Sequence, residues 1–386
     1  MSQIEITTLG KSCEFFNGKA HEKDIDENGK YIVVNSKFIS SEGKSFKRTN
    51  EQMFPLYKGD IVMVMSDVPN GKALAKCFII DKDDTYSLNQ RICCIRSKEF
   101  DTKYLYYQLN RHEHFLAFNN GENQTNLRKD DILACPLIKP PMDEQVRMVK
   151  ELDEAFIYLQ KAIENVETNI ENSNQLFSSD LNRLFSNPNW DHRKLEEVCK
   201  TGAGGTPLKT HKDYYEGGNI PWLLSGEVCQ KEISTASTFI TKKGLDNSSA
   251  KLFPVNTVLV AMYGATAGQV GILKLQACTN QAVCGILPNE KYLPEFIYYN
   301  FLFRKNELVA QATGNAQPNI SQIKIKQTQI PYVDLNIQTE VVAKLNLLAE
   351  KSETLYGKYQ EKLEKLNELR SGILKRAFEN ELMEAE

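Results

Sequence analysis

Long apolar runs are missing from this chain. No stretch of 18 apolar residues occurs in its 386 positions, which argues against a membrane-spanning helix. The opening Met-Ser-Gln-Ile-Glu-Ile has no basic segment leading into an apolar one, so no secretory leader is expected and the cytoplasm is the expected location. Histidine is scarce, five in all. The one close pair, His112 and His114, has no carboxylate or thiol cluster beside it, so no metal is expected. The nine cysteines are scattered without a CxxC pair. They read as thiols in cores, and Cys93-Cys94 as packing inside a strand. Catalytic signatures are missing too. Lys11-Ser12 and Lys44-Ser45 each follow a glycine, but Glu5 and Phe38 stand where a phosphate-binding loop needs its first glycine. No GxGxxG follows a strand pattern. Asn187-Pro188-Asn189-Trp190 lacks the second proline of an amino-methyltransferase loop and reads as a turn. Glu42-Gly43-Lys44 has no Pro-Asp partner to complete a nuclease set.

What is present is ordinary globular material, 41% apolar and 25% charged, with a mean hydropathy of −0.43. The length predicts several domains. The net charge of −3 hides an alternation: +1 over 1–142, −5 over 143–185, +4 over 186–333 and −3 over 334–386. Neutral-to-basic segments thus alternate with acidic ones, a weak sign of an anionic partner at the former.

The chain also repeats itself. Asn89-Gln90 matches Asn280-Gln281 at an offset of 191, Tyr106-Tyr107 matches Tyr298-Tyr299 at 192, and Gly121 and Gln145 match Gly314 and Gln338 at 193. Markers in one order at near-constant spacing imply two copies of one unit. The front of each copy is mixed and β-rich. Ile61–Met65 and Val258–Ala261 read as buried strands, and 101–118 and 293–312 as helical stretches with aromatic faces. The back of each copy alternates apolar steps of three and four. Leu152, Phe156, Leu159, Ile163, Val166 and Ile170 form one seam. Leu345, Leu348, Ser352, Leu355, Tyr359, Lys362, Leu366, Leu369 and Ile373 form the other, with Ser352 and Lys362 as polar exceptions. Such a period marks a coiled-coil seam, and two seams in one chain favour pairing with each other. The plainer alternative is two long helices, each packed on its own domain.

Several loops carry ligand-reading chemistry. In the second copy, Gly204, Gly205 and Thr206 could bring backbone N–H groups to a phosphate, or simply form a tight turn. Lys209 follows, then Ser225. Tyr263, Thr266 and Gln269 leave a strand end. In the first copy Asn35, Ser36 and Lys37 make a polar approach, and Asn70 and Lys72 occupy the loop equivalent to 262–269. Trp222 reads as core.

On these residues the sequence resembles the specificity subunit of type I restriction-modification systems. The resemblance is carried by Gly204-Gly205-Thr206-Pro207, Gly218-Asn219-Ile220-Pro221-Trp222 with Ser225-Gly226, Tyr263 to Gly268, Thr279-Asn280-Gln281-Ala282 and Gln317-Pro318-Asn319-Ile320. The first half is similar through Lys30 to Ser40. The lead from Ala134 to Gln145 departs from the family pattern by extra residues. The resemblance implies an α+β fold with two mixed, β-rich target recognition domains, 1–142 and 187–333. A long antiparallel two-helix coiled coil, 143–186 and 334–386, would separate them as a pseudo-two-fold repeat. It implies a non-catalytic chain that reads a bipartite, asymmetric double-stranded DNA site, with no membrane partner. Catalysis would sit on two modification (methyltransferase) subunits and on restriction (translocase/nuclease) subunits. S-adenosylmethionine, Mg and ATP would be expected on those partners and no cofactor on this chain. The alternatives are a self-contained divergent DNA methyltransferase or nuclease, and a coiled-coil scaffold that binds only proteins.

Overall fold

A computed structural model describes residues 5–21, 24–69, 71–310 and 319–385. Asn70, Gln317 and Pro318 lie outside the described residues. The chain divides into two units, Met1–Val166 with Lys362–Glu386, and Glu167–Glu361. Each unit therefore takes opposite ends of two long helices, Met142–Phe185 and Leu335–Ala385.

The first unit holds a four-stranded antiparallel sheet in the order Glu14–Asn17, Ile92–Arg96, Ile61–Val64, Cys77–Ile79. The β-branched and sulfur-bearing strand residues explain why it is buried on both faces. Ile61, Val62, Met63, Val64, Cys93 and Cys94 are all within 1% of complete burial. A second sheet orders Lys47–Thr49, Tyr31–Val34 and Tyr86–Leu88, the last pair parallel. Glu5–Thr8 pairs with Pro136–Lys139 just ahead of the first long helix. The aromatic stretch forms the helix Thr102–Leu109, started by Asp101, whose carboxylate accepts from the amides of Lys103 and Tyr104.

The second unit repeats this frame. Its larger sheet orders Thr201–Ala203, Val283–Ile286, Val258–Ala261, Val270–Leu273 and Glu232–Ile233. Its smaller sheet orders Phe239–Ile240, Ile220–Leu223 and Cys278–Thr279, again with the last pair parallel. His192–Lys194 pairs with Gln329–Pro331 ahead of the second long helix, and Pro294–Phe303 is the aromatic helix. The Trp222 side chain is buried at 3% exposure, and its indole N–H donates to Gly205 O at 2.9 Å.

The long helices follow the expected seams unevenly. Leu152, Leu159, Ile163 and Val166 are buried in the first unit. Phe156 meets the Tyr107 ring at 5.4 Å and the Arg370 guanidinium at 5.5 Å. In the second unit the polar seam residue Ser352 donates its hydroxyl to Ser173 O at 2.7 Å. On the second long helix the seam positions Leu345, Leu348, Ser352, Tyr359, Leu366 and Ile373 are buried or half-buried, while Leu355 and Leu369 are 38% and 51% exposed. A helix of 3.6 residues per turn drifts about 20° per heptad from a strict seven-residue repeat. The seam is kept at most of its expected positions and opens at Leu355, Lys362 and Leu369.

Candidate nucleic-acid interface

Strand register brings the candidate loops of each unit to one end of its sheets. In the second unit Ala203 faces Cys284, Ala261 faces Val283 and Leu223 faces Thr279. The segments leaving there are Gly204–Lys209, Leu224–Glu227, Met262–Gln269 and Asn280–Ala282. Asn280 N–H donates to Leu223 O at 2.9 Å and Met262 N–H to Ala282 O at 2.8 Å, which ties three of these segments together.

Gly204 and Gly205 are buried, and their amides are already used. Gly204 N–H donates to Val283 O at 3.0 Å and Gly205 N–H to Thr279 O at 2.9 Å. A Cβ on Gly204 would stand 2.1 Å from Thr279 Oγ1. The expected phosphate cradle is therefore corrected: these glycines exist for close approach of two backbones, and their N–H groups serve the ladder. Thr206 follows, half-buried, with its hydroxyl donating to Gln281 Oε1. Lys209 is exposed on the same loop. Ser225 opens a short 3-10 turn, Ser225–Glu227. Burial works against the charge of Glu227, but hydrogen bonds from the Leu224 amide and from the Ser237 hydroxyl and amide outweigh it and hold this carboxyl below its ordinary range. The turn is thus pinned from inside, and Glu227 is its brace. Tyr263 is exposed and its backbone bridges Asn319. The Thr266 hydroxyl donates to Tyr263 O at 3.3 Å, and Gln269 is half-buried, with its carbonyl accepting from Ala261 N–H at 2.9 Å.

The first unit places its own loops in the same way. Asn89 N–H donates to Val34 O at 3.1 Å, so Asn35, Ser36 and Lys37 leave beside Asn89-Gln90. Asn35 caps the helix Ser36–Ser40 by accepting from Phe38 N–H at 2.9 Å. Lys37 is exposed. Loop 66–74 is organised by Asp67, whose carboxylate accepts from the amides of Val68, Ala73 and Leu74 at 2.9, 2.6 and 3.1 Å. Lys72 is exposed on this loop, with its carbonyl held by Arg111 Nη1 at 3.1 Å.

Sequence reasoning missed four side chains at these ends: Gln90, Gln281, Asn126 and Asn319, all exposed. The signal was present, since the Asn-Gln pair recurs in both copies. It served as a marker of the repeat and of the family resemblance, and not as a pointer to contact residues.

Two copies of one mixed domain, each presenting a loop cluster from the same end, define a duplicated recognition scaffold. The profile of the type I restriction modification DNA specificity domain matches residues 1–172 and again 187–365. The chain belongs to this family of DNA specificity domains, a recognition component and not a catalytic one. It is similar to the specificity subunit of the type I restriction enzyme EcoR124I/EcoR124II of Escherichia coli, 26% identical over 277 residues, covering 69% of this chain and 67% of that one. It also resembles the MjaIX specificity subunit of Methanocaldococcus jannaschii, 29% identical over 162 residues, covering 41% of this chain and 37% of that one. Among solved structures, one chain from a study of complex assembly and conformational transition of the type I R-M system aligns over 97% of both chains, with a TM-score of 0.77 at 18% identity. The HsdS subunit from Thermoanaerobacter tengcongensis aligns with a TM-score of 0.57, also at 18% identity, over 97% of this chain and 96% of that one. These two show the fold. Among the described residues no helix is long and apolar enough to cross a membrane.

Proposed function

We propose that this chain is the DNA sequence-recognition subunit of a type I restriction-modification complex, acting in the cytoplasm. Each unit reads one half of a bipartite, asymmetric site in double-stranded DNA, mainly through the major groove, where all four base pairs are distinguishable. The long helices meet two modification subunits, which methylate adenine with S-adenosylmethionine. Restriction subunits supply the Mg- and ATP-dependent translocation and cleavage. The carrying observation is that two copies of one strand frame present different side chains from the same end, as two readers of unlike half-sites require. The test exchanges residues 1–142 for the first unit of another family member, assembles the chimera with modification subunits and sequences the methylated sites. One half of the motif should change and the other persist; a change in both halves, or in neither, overturns the reading. Purified chain alone, given S-adenosylmethionine and DNA, should transfer no methyl group. Transfer would favour a self-contained methyltransferase instead.

A further inference from the structure

The loop ends of the two units agree at a few exposed polar positions and differ at most others. Gln90 and Gln281 each follow an asparagine whose side-chain oxygen accepts from the amide two residues on, Arg91 at 3.4 Å and Ala282 at 3.2 Å. Each glutamine therefore sits in the same local turn. A methionine chain lies beside it. Met65 N–H donates to Arg91 O at 3.1 Å and Met65 O accepts from Leu127 N–H at 2.8 Å. In the second unit Met262 N–H donates to Ala282 O at 2.8 Å and Met262 O accepts from Ile320 N–H at 2.8 Å. Each unit thus sets a glutamine turn, a methionine chain and an exposed asparagine, Asn126 or Asn319, in one row. Around that row the side chains diverge: Lys19 against Gly205, Lys37 against Gly226, Arg91 against Ala282, Ser66 against Tyr263.

Resting on the reading that the units recognise different half-sites, we infer that Gln90 with Asn126, and Gln281 with Asn319, are positioning residues that hold the sugar–phosphate backbone and carry no base preference. A side chain present in both readers cannot supply the difference between them. The hydrogen bonding fits this role. Thr206 donates to Gln281 Oε1, and Gln124 Nε2 donates to Asn126 Oδ1 at 3.3 Å. At Gln281 and Asn126 the carboxamide oxygen thus holds one internal hydrogen bond that orients the group, and the exposed side chain presents its amide N–H donors at the loop end. Donors alone match phosphate oxygens. Base readout then falls to the divergent positions.

The test uses the chain assembled with its modification subunits, carrying Gln281→Ala, Gln281→Lys or Asn319→Ala. The methylated motif is sequenced, and binding to cognate and scrambled duplexes is measured across salt concentrations, with thermal midpoints as a check on folding. Gln281→Ala and Asn319→Ala should each weaken both duplexes by one common factor, about fivefold for a lost neutral hydrogen bond, with the motif and the midpoint unchanged. Gln281→Lys should bind at least as well as the parent and steepen the slope of log affinity against log salt by about 0.9, as one added phosphate contact does. An altered or relaxed base in the motif of either alanine variant, a loss confined to the cognate duplex, or no loss at all overturns the inference. A parent complex that methylates no two-part motif overturns the underlying reading, and this one with it.

Discussion

Where the first unit pairs a buried carboxylate with a half-buried arginine, the second has a threonine and a leucine. Arg96 meets Asp60 through two hydrogen bonds of 2.7 Å, its guanidinium 5.0 Å from the centroids of both the Phe16 and Tyr57 rings. The Asp60 side chain is 3% exposed. Ile61 pairs with Ile95, and Val258 with Ile286, so the equivalent positions are Thr257 and Leu287. The Thr257 hydroxyl donates to Pro254 O at 2.8 Å and needs no charged partner. The backbone ladder is the same in both units, so it fixes the frame while this pair of side chains is free to change. Removing one member of a buried pair costs about 3 kcal/mol or more, because the other charge stays behind; replacing both can be nearly neutral. Arg96→Leu should therefore destabilise the first unit by about 3 kcal/mol. The double change Asp60→Thr with Arg96→Leu should return most of that loss. Urea denaturation, with amide exchange over Ile61–Val64 as a local report, checks this. A double variant as unstable as the single one would show that the two frames are not interchangeable here.

A second comparison concerns how each domain is joined to its long helix. Gln145 and Gln338 lie in the first turns of these helices, at 1% and 0% exposure. Gln145 accepts from Asp101 N–H at 2.8 Å and donates to Pro140 O at 2.9 Å. Gln338 accepts from Leu293 N–H at 2.9 Å and donates to Lys291 O at 2.8 Å and Val333 O at 3.0 Å. Each glutamine thus locks the start of the aromatic helix to the start of the long one. A matching clasp lies two turns further along. The Tyr107 hydroxyl donates to Asp153 and the Tyr299 hydroxyl to Asn346, both at 2.6 Å. The difference is one extra hydrogen bond at Gln338. Gln338→Ala should cost about 2–3 kcal/mol and Gln145→Ala about 1–2 kcal/mol, since buried partners left unpaired set the loss. Thermal unfolding of the two variants ranks them. The opposite order would mean that the third hydrogen bond does not contribute.

These joints explain what was readable before any coordinates. Asn89-Gln90, the tyrosine pairs and Gln145 with Gln338 stood out as repeat markers because each fills a position that the frame demands twice. Paired tyrosines and buried glutamines are recognisable by type and spacing alone. The two mixed domains and two long helices were legible for a related reason, since runs of about 40 residues without proline permit only a few architectures. For Gly204 and Gly205 the choice between a phosphate cradle and a tight turn stayed open, because nothing local reveals whether an amide is already bonded. Their acceptors, Val283 and Thr279, are distant in sequence. The seam on the second long helix was legible at most positions and opens only at Leu355, Lys362 and Leu369, because a pattern of steps does not record helical drift. Gln281 and Asn319 were passed over as readers because sequence shows recurrence but not which strand end a residue occupies.

The smallest effect expected is a gain. Gln108 in the first unit donates to Ile138 O at 2.9 Å and accepts from Ile138 N–H at 2.8 Å, clasping the strand before the long helix. Its counterpart on the second aromatic helix is Asn300, shorter by a methylene. Where the first unit has Ile138, the second has Pro331, which has no N–H and whose carbonyl already accepts from the Tyr292 hydroxyl at 3.0 Å. The Asn300 carboxamide is fully buried, and among the described residues neither its oxygen nor its nitrogen has a hydrogen-bond partner. A buried polar group without a partner costs about 1–3 kcal/mol, and an apolar group of like shape removes that cost. Asn300→Leu should raise the stability of the second unit by about 1 kcal/mol. Asn300→Gln should gain less, because Pro331 cannot donate back as Ile138 does. Gln108→Leu, the same change on the other side of the comparison, should destabilise, since Ile138 would lose both bonds. Thermal midpoints of the three variants decide it. If Asn300→Leu lowered the midpoint as Gln108→Leu does, the two positions would be equivalent clasps and the proline would not be what separates them.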